Sequence, residues 1–267
     1  MTRRLCHAWL LGASCALLAS PSPGAQPPLP PGPPTLARSQ ADAALAPHTA
    51  RFAVSYRGLD AGTSEVRLER QGQGNGGATR YVFTNRSRPK GMAALFLPGT
   101  LTQRSDFTVG PQGLRPLDYS LDDGGKSTAR DVRLAFDWAG HRITGVAENK
   151  SVDLPLAEGV QDALTLGLQV RWLLQQGRVP GRLVMVEKDK PKEYDYALEG
   201  EERLQTAIGP LDTVIWRSRR PGSDRVTRTW YAPDLGHLAV KVEQVDGDQR
   251  LMALRLLAWQ RLQTGTP

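Results

Sequence analysis

The chain has 267 residues, a net charge of +7 and two cysteines, Cys6 and Cys15. Both cysteines precede residue 25, so the folded part of the chain has no thiol for nucleophilic catalysis, zinc binding or a disulfide. The charge excess is moderate and dispersed, and no nucleic-acid-binding motif accompanies it.

The chain opens with Arg3 and Arg4, an apolar run from Leu5 to Ala19, and then small residues. That layout is a secretory signal, with removal expected near Gly24 or Ala25. The apolar run is shorter than the roughly 20 residues a mature membrane span needs. Cys15 raises the alternative of a lipid anchor. However, Leu11 stands one place too far from it, and the apolar run continues through Ala16-Leu17-Leu18. Cys15 is therefore read as an ordinary apolar residue of the signal, and the protein as periplasmic. An uncleaved N-terminal anchor would leave the domain facing the same compartment.

Residues 26–50 form a linker. The proline-rich PSPGAQPPLPPGPP (21–34), which proline holds semi-extended, runs from the end of the signal into it, and the weakly helical TLARSQADAALAPHTA (35–50) follows. A single β-rich domain is expected over 51–262, with a disordered tail at 263–267. Without residues 1–25 the net charge is +5, because that segment holds two arginines and no acid.

From Arg51 onward apolar and polar residues alternate, as in half-buried strands. Phe52, Val54 and Tyr56 lead into a turn at Gly58–Gly62, and Val66 and Leu68 continue on a partner strand. QGQGNGG (71–77) reads as a hairpin loop, with Tyr81 and Phe83 beyond it. MAALFLP (92–98) has no alternation and reads as a flap or a tucked loop. Strands follow around Leu101–Val109, Leu117–Leu121 and Val132–Trp138; in the last, Val132, Leu134, Phe136 and Trp138 share one face.

One segment differs. DALTLGLQVRWLLQQ (162–176) reads as a helix with Asp162 as its cap and Gly177 as its stop. Apolar residues occupy two arcs, and only Thr165, Gln169 and Gln176 make a polar strip, so the helix must be largely buried. Strands then return at 183–187, 194–198, 204–208, 213–219, 226–231, 238–245 and 251–259. The expected fold is mainly β: a curved antiparallel meander, an open or partly closed barrel of a dozen strands, wrapped around one buried helix.

Five segments resemble DUF3108, an exported bacterial family of unknown function. They are RSDF (104–107), FDW (136–138), VQDALTLGLQVRWL (160–173), AIGPLDTVIW (207–216) and WYAPDLGHLAVKVEQVDG (230–247). Two departures are Ala239, where the family often has proline, and Leu164-Thr165, where it often has leucine-serine. The resemblance implies an exported β-rich domain with no established catalytic residues. The last segment is also similar, over a short stretch, to the closing hairpin of periplasmic lipoprotein-carrier half-barrels, which hold acyl chains between a curved sheet and helices.

The residues themselves point away from an enzyme, and no catalytic residue, metal site or cofactor is assigned. His48, His141 and His237 are dispersed, and no serine sits in a glycine-flanked elbow. Asp106, Asp131, Asp137, Asp162, Glu193 and Asp195 are the carboxylates that could pair in a cleft as a hydrolase requires. Tyr194, Tyr196 and Trp216 could stack on a sugar but read first as core.

The leading expectation is a concave site for a lipid or other amphipathic envelope component. Its candidate lining is Phe96, Phe107, Phe136, Trp138, Leu168 and Trp172. The alternative is a scaffold with a filled core, meeting an envelope protein or polymer through the basic cluster Arg217, Arg219, Arg220, Arg225 and Arg228. Neither reading involves nucleic acid or a mature transmembrane span.

Overall fold

A computed structural model describes residues 45–73, 78–95 and 99–263. The expected signal and most of the proline-rich linker lie outside these residues. Fourteen strands form one antiparallel sheet in which each neighbours its predecessor, except that the sheet is joined through β1 and β14. β1 (His48–Tyr56) pairs on one side with β2 (Leu59–Gln73) and on the other with β14 (Gln249–Arg261). One wing continues through β3 (Thr79–Pro89), β4 (Leu101–Gly110), β5 (Gly113–Asp122), β6 (Val132–Asp137), β7 (Arg142–Ala147) and β8 (Lys150–Pro155). The other runs through β13 (Leu238–Asp246), β12 (Arg225–Ala232), β11 (Gly209–Arg219) and β10 (Pro191–Thr206) to β9 (Arg182–Val186). The barrel is open: β8 and β9 are its edges and do not pair with each other.

The chain crosses that seam between β8 and the helix. Gln161 makes a parallel bridge with Met185 of β9, its N–H donating to the Val184 carbonyl and its carbonyl accepting from Val186. Its buried side chain also donates to the carbonyl of Leu114 at 3.0 Å.

The one α-helix of the described residues, α1 (Thr165–Gln175), runs inside the curved sheet. Asp162 starts it. Its carbonyl accepts from the Leu166 N–H, while its Oδ1 accepts from the N–H groups of Leu164 (2.7 Å) and Thr165 (2.8 Å). Thr165 Oγ1 in turn accepts from the Asp162 N–H at 2.9 Å, giving a reciprocal capping box one turn ahead of the regular helix. Ser105 Oγ on β4 donates to Asp162 Oδ2 at 2.5 Å and ties the cap to the sheet.

Eight residues of α1 are buried. Leu164, Leu168, Trp172 and Leu173 join the main core with Phe107, Phe136 and Ile143 of the first wing. Leu166 packs with Met185 and Tyr194, and Val170 with Trp216 and Tyr231, all from the second wing. The expected polar strip is satisfied internally: Gln169 Oε1 accepts from the Leu114 N–H at 2.8 Å. Gly113 permits that approach, since a Cβ there would lie 2.6 Å from the Gln169 amide.

The structure corrects several boundaries. The expected linker ends early, because Leu45 is buried and β1 begins at His48. The strands expected at 194–198 and 204–208 form one strand, β10, with a bulge between Leu198 and Gly200. β7 and β8 occupy a stretch where no strand was expected from the sequence; they are joined by Glu148-Asn149, both with positive φ, in place of a glycine-bearing turn.

Burial pushes the Asp162 carboxyl up to about 6, against the hydrogen bonds from Ser105, Thr165 and Leu164 that favour its charged form. A carboxyl whose folded pKa is raised favours folding while protonated, and that contribution is lost as pH rises through about 4 to 6. Asp162→Asn preserves the cap acceptor and can donate to Ser105. Its stability relative to wild type should therefore rise by about 2–3 kcal/mol between pH 4 and pH 7, measured by urea unfolding. The opposite contribution of His48 is common to both proteins and cancels in the comparison.

Candidate functional site

At about 100° per residue, Leu164, Leu168, Arg171 and Gln175 share one side of α1, with Gly167 beside them. That side faces the middle of the sheet, where β1–β3 meet β12–β14. Between them lies a cavity of about 230 Å3. Phe52, Val66, Phe83, Leu238, Val242 and Leu254 supply apolar wall from the sheet, with Leu164 and Leu168 from the helix. A Cβ built at Gly167 meets no atom within 4 Å, so the absent side chain leaves that space open.

The polar groups of the wall are His48, Ser64, Asn85, Arg171 and Thr229. Ser64 and Asn85 begin a ladder across the inner face of the sheet. Ser64 Oγ donates to Asn85 Oδ1 at 2.6 Å, Asn85 Nδ2 to Gln103 Oε1 at 3.0 Å, and Gln103 Nε2 to the Tyr119 hydroxyl at 2.9 Å. Burial drives the Tyr119 hydroxyl far above its ordinary range and keeps it neutral.

Arg171 is 4% exposed. Its Nε donates to the Gly236 carbonyl at 2.7 Å, its Nη2 to the Leu235 carbonyl at 3.4 Å, and its Nη1 lies 3.5 Å from His48 Nε2. These carbonyls belong to the left-handed turn Gly236-His237 and the 3-10 turn Pro233–Leu235 between β12 and β13. Among the described residues no carboxylate pairs with Arg171. Burial, with Arg261 nearby, lowers its pKa to about 10, so it stays charged at neutral pH.

His48 is 2% exposed, and its Nδ1 lies 2.8 Å from the Ala46 carbonyl. Donation there places the proton on Nδ1 and turns the Nε2 lone pair toward Arg171. Burial and the Arg171 charge lower the His48 pKa to about 4, and the same causes lower that of His237.

Of the lining residues expected from the sequence, only Leu168 borders this cavity. Phe107 is stacked on Tyr81 with ring centres 5.7 Å apart, and it packs with Phe136 and Trp172 in the filled core. Trp138 lies at the rim, its Nε1 donating to the Pro116 carbonyl at 2.6 Å, with the Arg115 guanidinium 5.1 Å from its ring. Phe96 lies outside the described residues. The space opens elsewhere because α1 presents large side chains to the first wing, but Gly167 and Arg171 to the middle of the sheet. Arg171 and His48 escaped the sequence reading. A lone cation on an apolar helical face was the available signal, and His48 sat in the supposed linker.

The basic cluster is diluted by acids. Arg228 pairs with Glu199 at 2.6 Å and Arg225 with Asp246 at 3.3 Å, while Arg217 and Arg219 lie opposite Ala197 and Asp195 on β10. The carboxylates have structural partners. Asp106 binds Arg104 and Arg80, Asp137 caps the turn at Ala139-Gly140, and Glu193 and Asp195 share Arg182. Asp106 does face Asp118 across β4 and β5 at an open groove of about 380 Å3 that also holds Arg104 and Arg133. Asp122, Asp123 and Asp131 bring carboxylate oxygens within 4.8 Å of one another, with Arg130 paired to Asp123 at 2.8 Å. Ser87 and Lys90 have Ser-x-x-Lys spacing, but Ser87 is a buried strand residue and Lys90 is exposed beyond the strand's end. Tyr194 and Trp216 pack against α1 as core.

Residues 51–254 match the family described as "Protein of unknown function (DUF3108)". The chain belongs to this family. No curated protein matches. Among solved structures, a β-barrel-like DUF1849 protein from Brucella abortus is similar with a TM-score of 0.52 at 12% identity, over 82% of this chain and 99% of that one. That likeness is one of fold. An exported protein, so described, with a YmcC-like fold from Bacteroides fragilis has a TM-score of 0.37 at 12% identity, covering 80% of this chain and 95% of its own. For MucB the values are 0.32 and 13%, over 85% of this chain and 57% of MucB.

Gly167 is a helical residue with vacant space beside it, so a methyl group fits and the helix gains from losing glycine's backbone freedom. Gly167→Ala should stabilise the domain by about 0.5–1 kcal/mol and raise its Tm by about 1–4 °C in calorimetry.

Proposed function

We propose that this member of the DUF3108 family is an exported envelope domain of non-enzymatic character that binds a small apolar or amphipathic molecule between α1 and the middle of the sheet. The observation that carries this reading is the roughly 230 Å3 cavity beside Gly167, apolar over most of its wall with a few polar groups among the lining residues. That composition is the one small-molecule sites share, although the volume lies just below the roughly 300–1,000 Å3 of drug-sized ligands. The N-terminal sequence, with its basic start, apolar run and proline-rich tether, supports a periplasmic address.

A scaffold reading would need a filled interior and a coherent basic surface. The cavity and the ion pairs across Arg225 and Arg228 favour ligand binding instead.

Binding of a polarity-sensitive apolar fluorophore tests this directly. Wild type and Gly167→Ala should both bind it, whereas Gly167→Leu, whose side chain enters the cavity, should weaken binding by about tenfold or more while keeping the native circular dichroism spectrum. Absence of binding to wild type, or equal binding by Gly167→Leu, would overturn the proposal.

A further inference from the structure

We infer that the cavity selects a single-chain amphiphile with a carboxylate head, a fatty acid of short to medium length, and that Arg171 is the residue that recognises the head. This rests on the proposed ligand-binding role of the cavity and names the ligand's chemical class.

The argument begins with an uncompensated charge. An isolated buried cation is costly, so such groups are ordinarily paired or strongly hydrogen-bonded. Arg171 has neutral carbonyls and one neutral histidine nitrogen as its protein partners. The charged and titratable groups around it do not supply an anion: His48 and His237 have pKa values lowered by burial and by Arg171, and Arg261 is a further cation. The site is therefore electropositive in a medium that screens weakly.

Geometry then selects the head. A guanidinium carries five N–H donors. The hydrogen bonds of Arg171 occupy three, two of them long, which leaves two for a ligand in the planar fork that matches a carboxylate. Leu164, Leu168, Phe52 and Phe83 offer the apolar surface a chain requires, and Ser64 and Asn85 also line the cavity. Size favours the rest: a cavity of about 230 Å3 matches one chain of modest length better than a diacyl lipid.

Decanoate and decanol share a chain and differ in the head, so calorimetric titration of each into the purified domain separates the two claims. Decanoate should bind at least about tenfold more tightly than decanol, because charge-assisted hydrogen bonds are lost with the alcohol. Arg171→Met keeps the volume and removes the charge, and Gln175 Nε2, 2.6 Å from the Gly236 carbonyl, still holds that turn. In this variant decanoate should weaken by about tenfold or more while decanol changes by less than about threefold. Arg171→Lys should recover only part of the preference, since an ammonium cannot reproduce the fork.

Equal binding of decanoate and decanol by wild type would overturn the head-group inference and leave the cavity reading standing. Failure of both to bind would overturn both. The wild-type comparison does not depend on any variant folding.

Discussion

An eleven-residue helix that is apolar on nearly every side has to be enclosed on nearly every side. The architecture answers that constraint. A flat sheet would cover one face of α1, but a meander of fourteen strands curls around it, so Leu168 and Trp172 meet one wing while Leu166 and Val170 meet the other. Burying each large apolar side chain contributes about 1.5–3 kcal/mol relative to exposure, and the helix supplies several. Several of the polar groups carried inside find partners: Thr165 closes the cap, Gln169 serves the Leu114 N–H, and Gln175 Nε2 meets the Gly236 carbonyl, although Gln175 Oε1 is left without a partner. Asp162 joins the helix start to β4 through Ser105, which fixes where the helix enters the sheet.

The same logic isolates what does not fit. Gly167 leaves a gap where the other faces of α1 carry leucine, valine or tryptophan, and Arg171 brings a charge to a place that offers only carbonyls and a neutral ring. A fold optimised only for stability has no use for either. Filling the gap and removing the charge are each expected to cost little or to stabilise, as replacements of buried charges by apolar residues often do. The two features stand four residues, about one helical turn, apart on the side of the helix that faces the cavity. Vacancy and charge thus share a wall, which is the basis for assigning them one role.

The outer surface is organised differently. Arginines on the sheet's exterior are spaced among acids, and their pairs, such as Arg142 with Asp153 and Arg203 with Asp212, are exposed. Pairs of this kind contribute little to stability, typically 0–1 kcal/mol. Their effect is to divide a positive composition into mixed strips. The cluster Arg217, Arg219, Arg220, Arg225 and Arg228 looks concentrated along the chain, but β10 and β13 bring Asp195, Glu199 and Asp246 beside it.

Much of this fold is determined by sequence alone, because alternation and helical periodicity are local. Val132, Leu134 and Phe136 are buried and their neighbours exposed, as period two requires, and the cap at Asp162 follows from its spacing to Thr165. β7 and β8 were illegible because their turn uses Glu148-Asn149 in a conformation that glycine usually marks. His48 looked like linker because three residues of strand carry no period of their own; pairing with Leu68 and Arg261 decides it. The sequence also determined that the helix would be buried. Only the tertiary structure decided which of its faces meets a packed core and which a cavity, and that no carboxylate of the described residues pairs with Arg171. Those depend on what residues distant in the chain bring to the same point, and no local pattern records it.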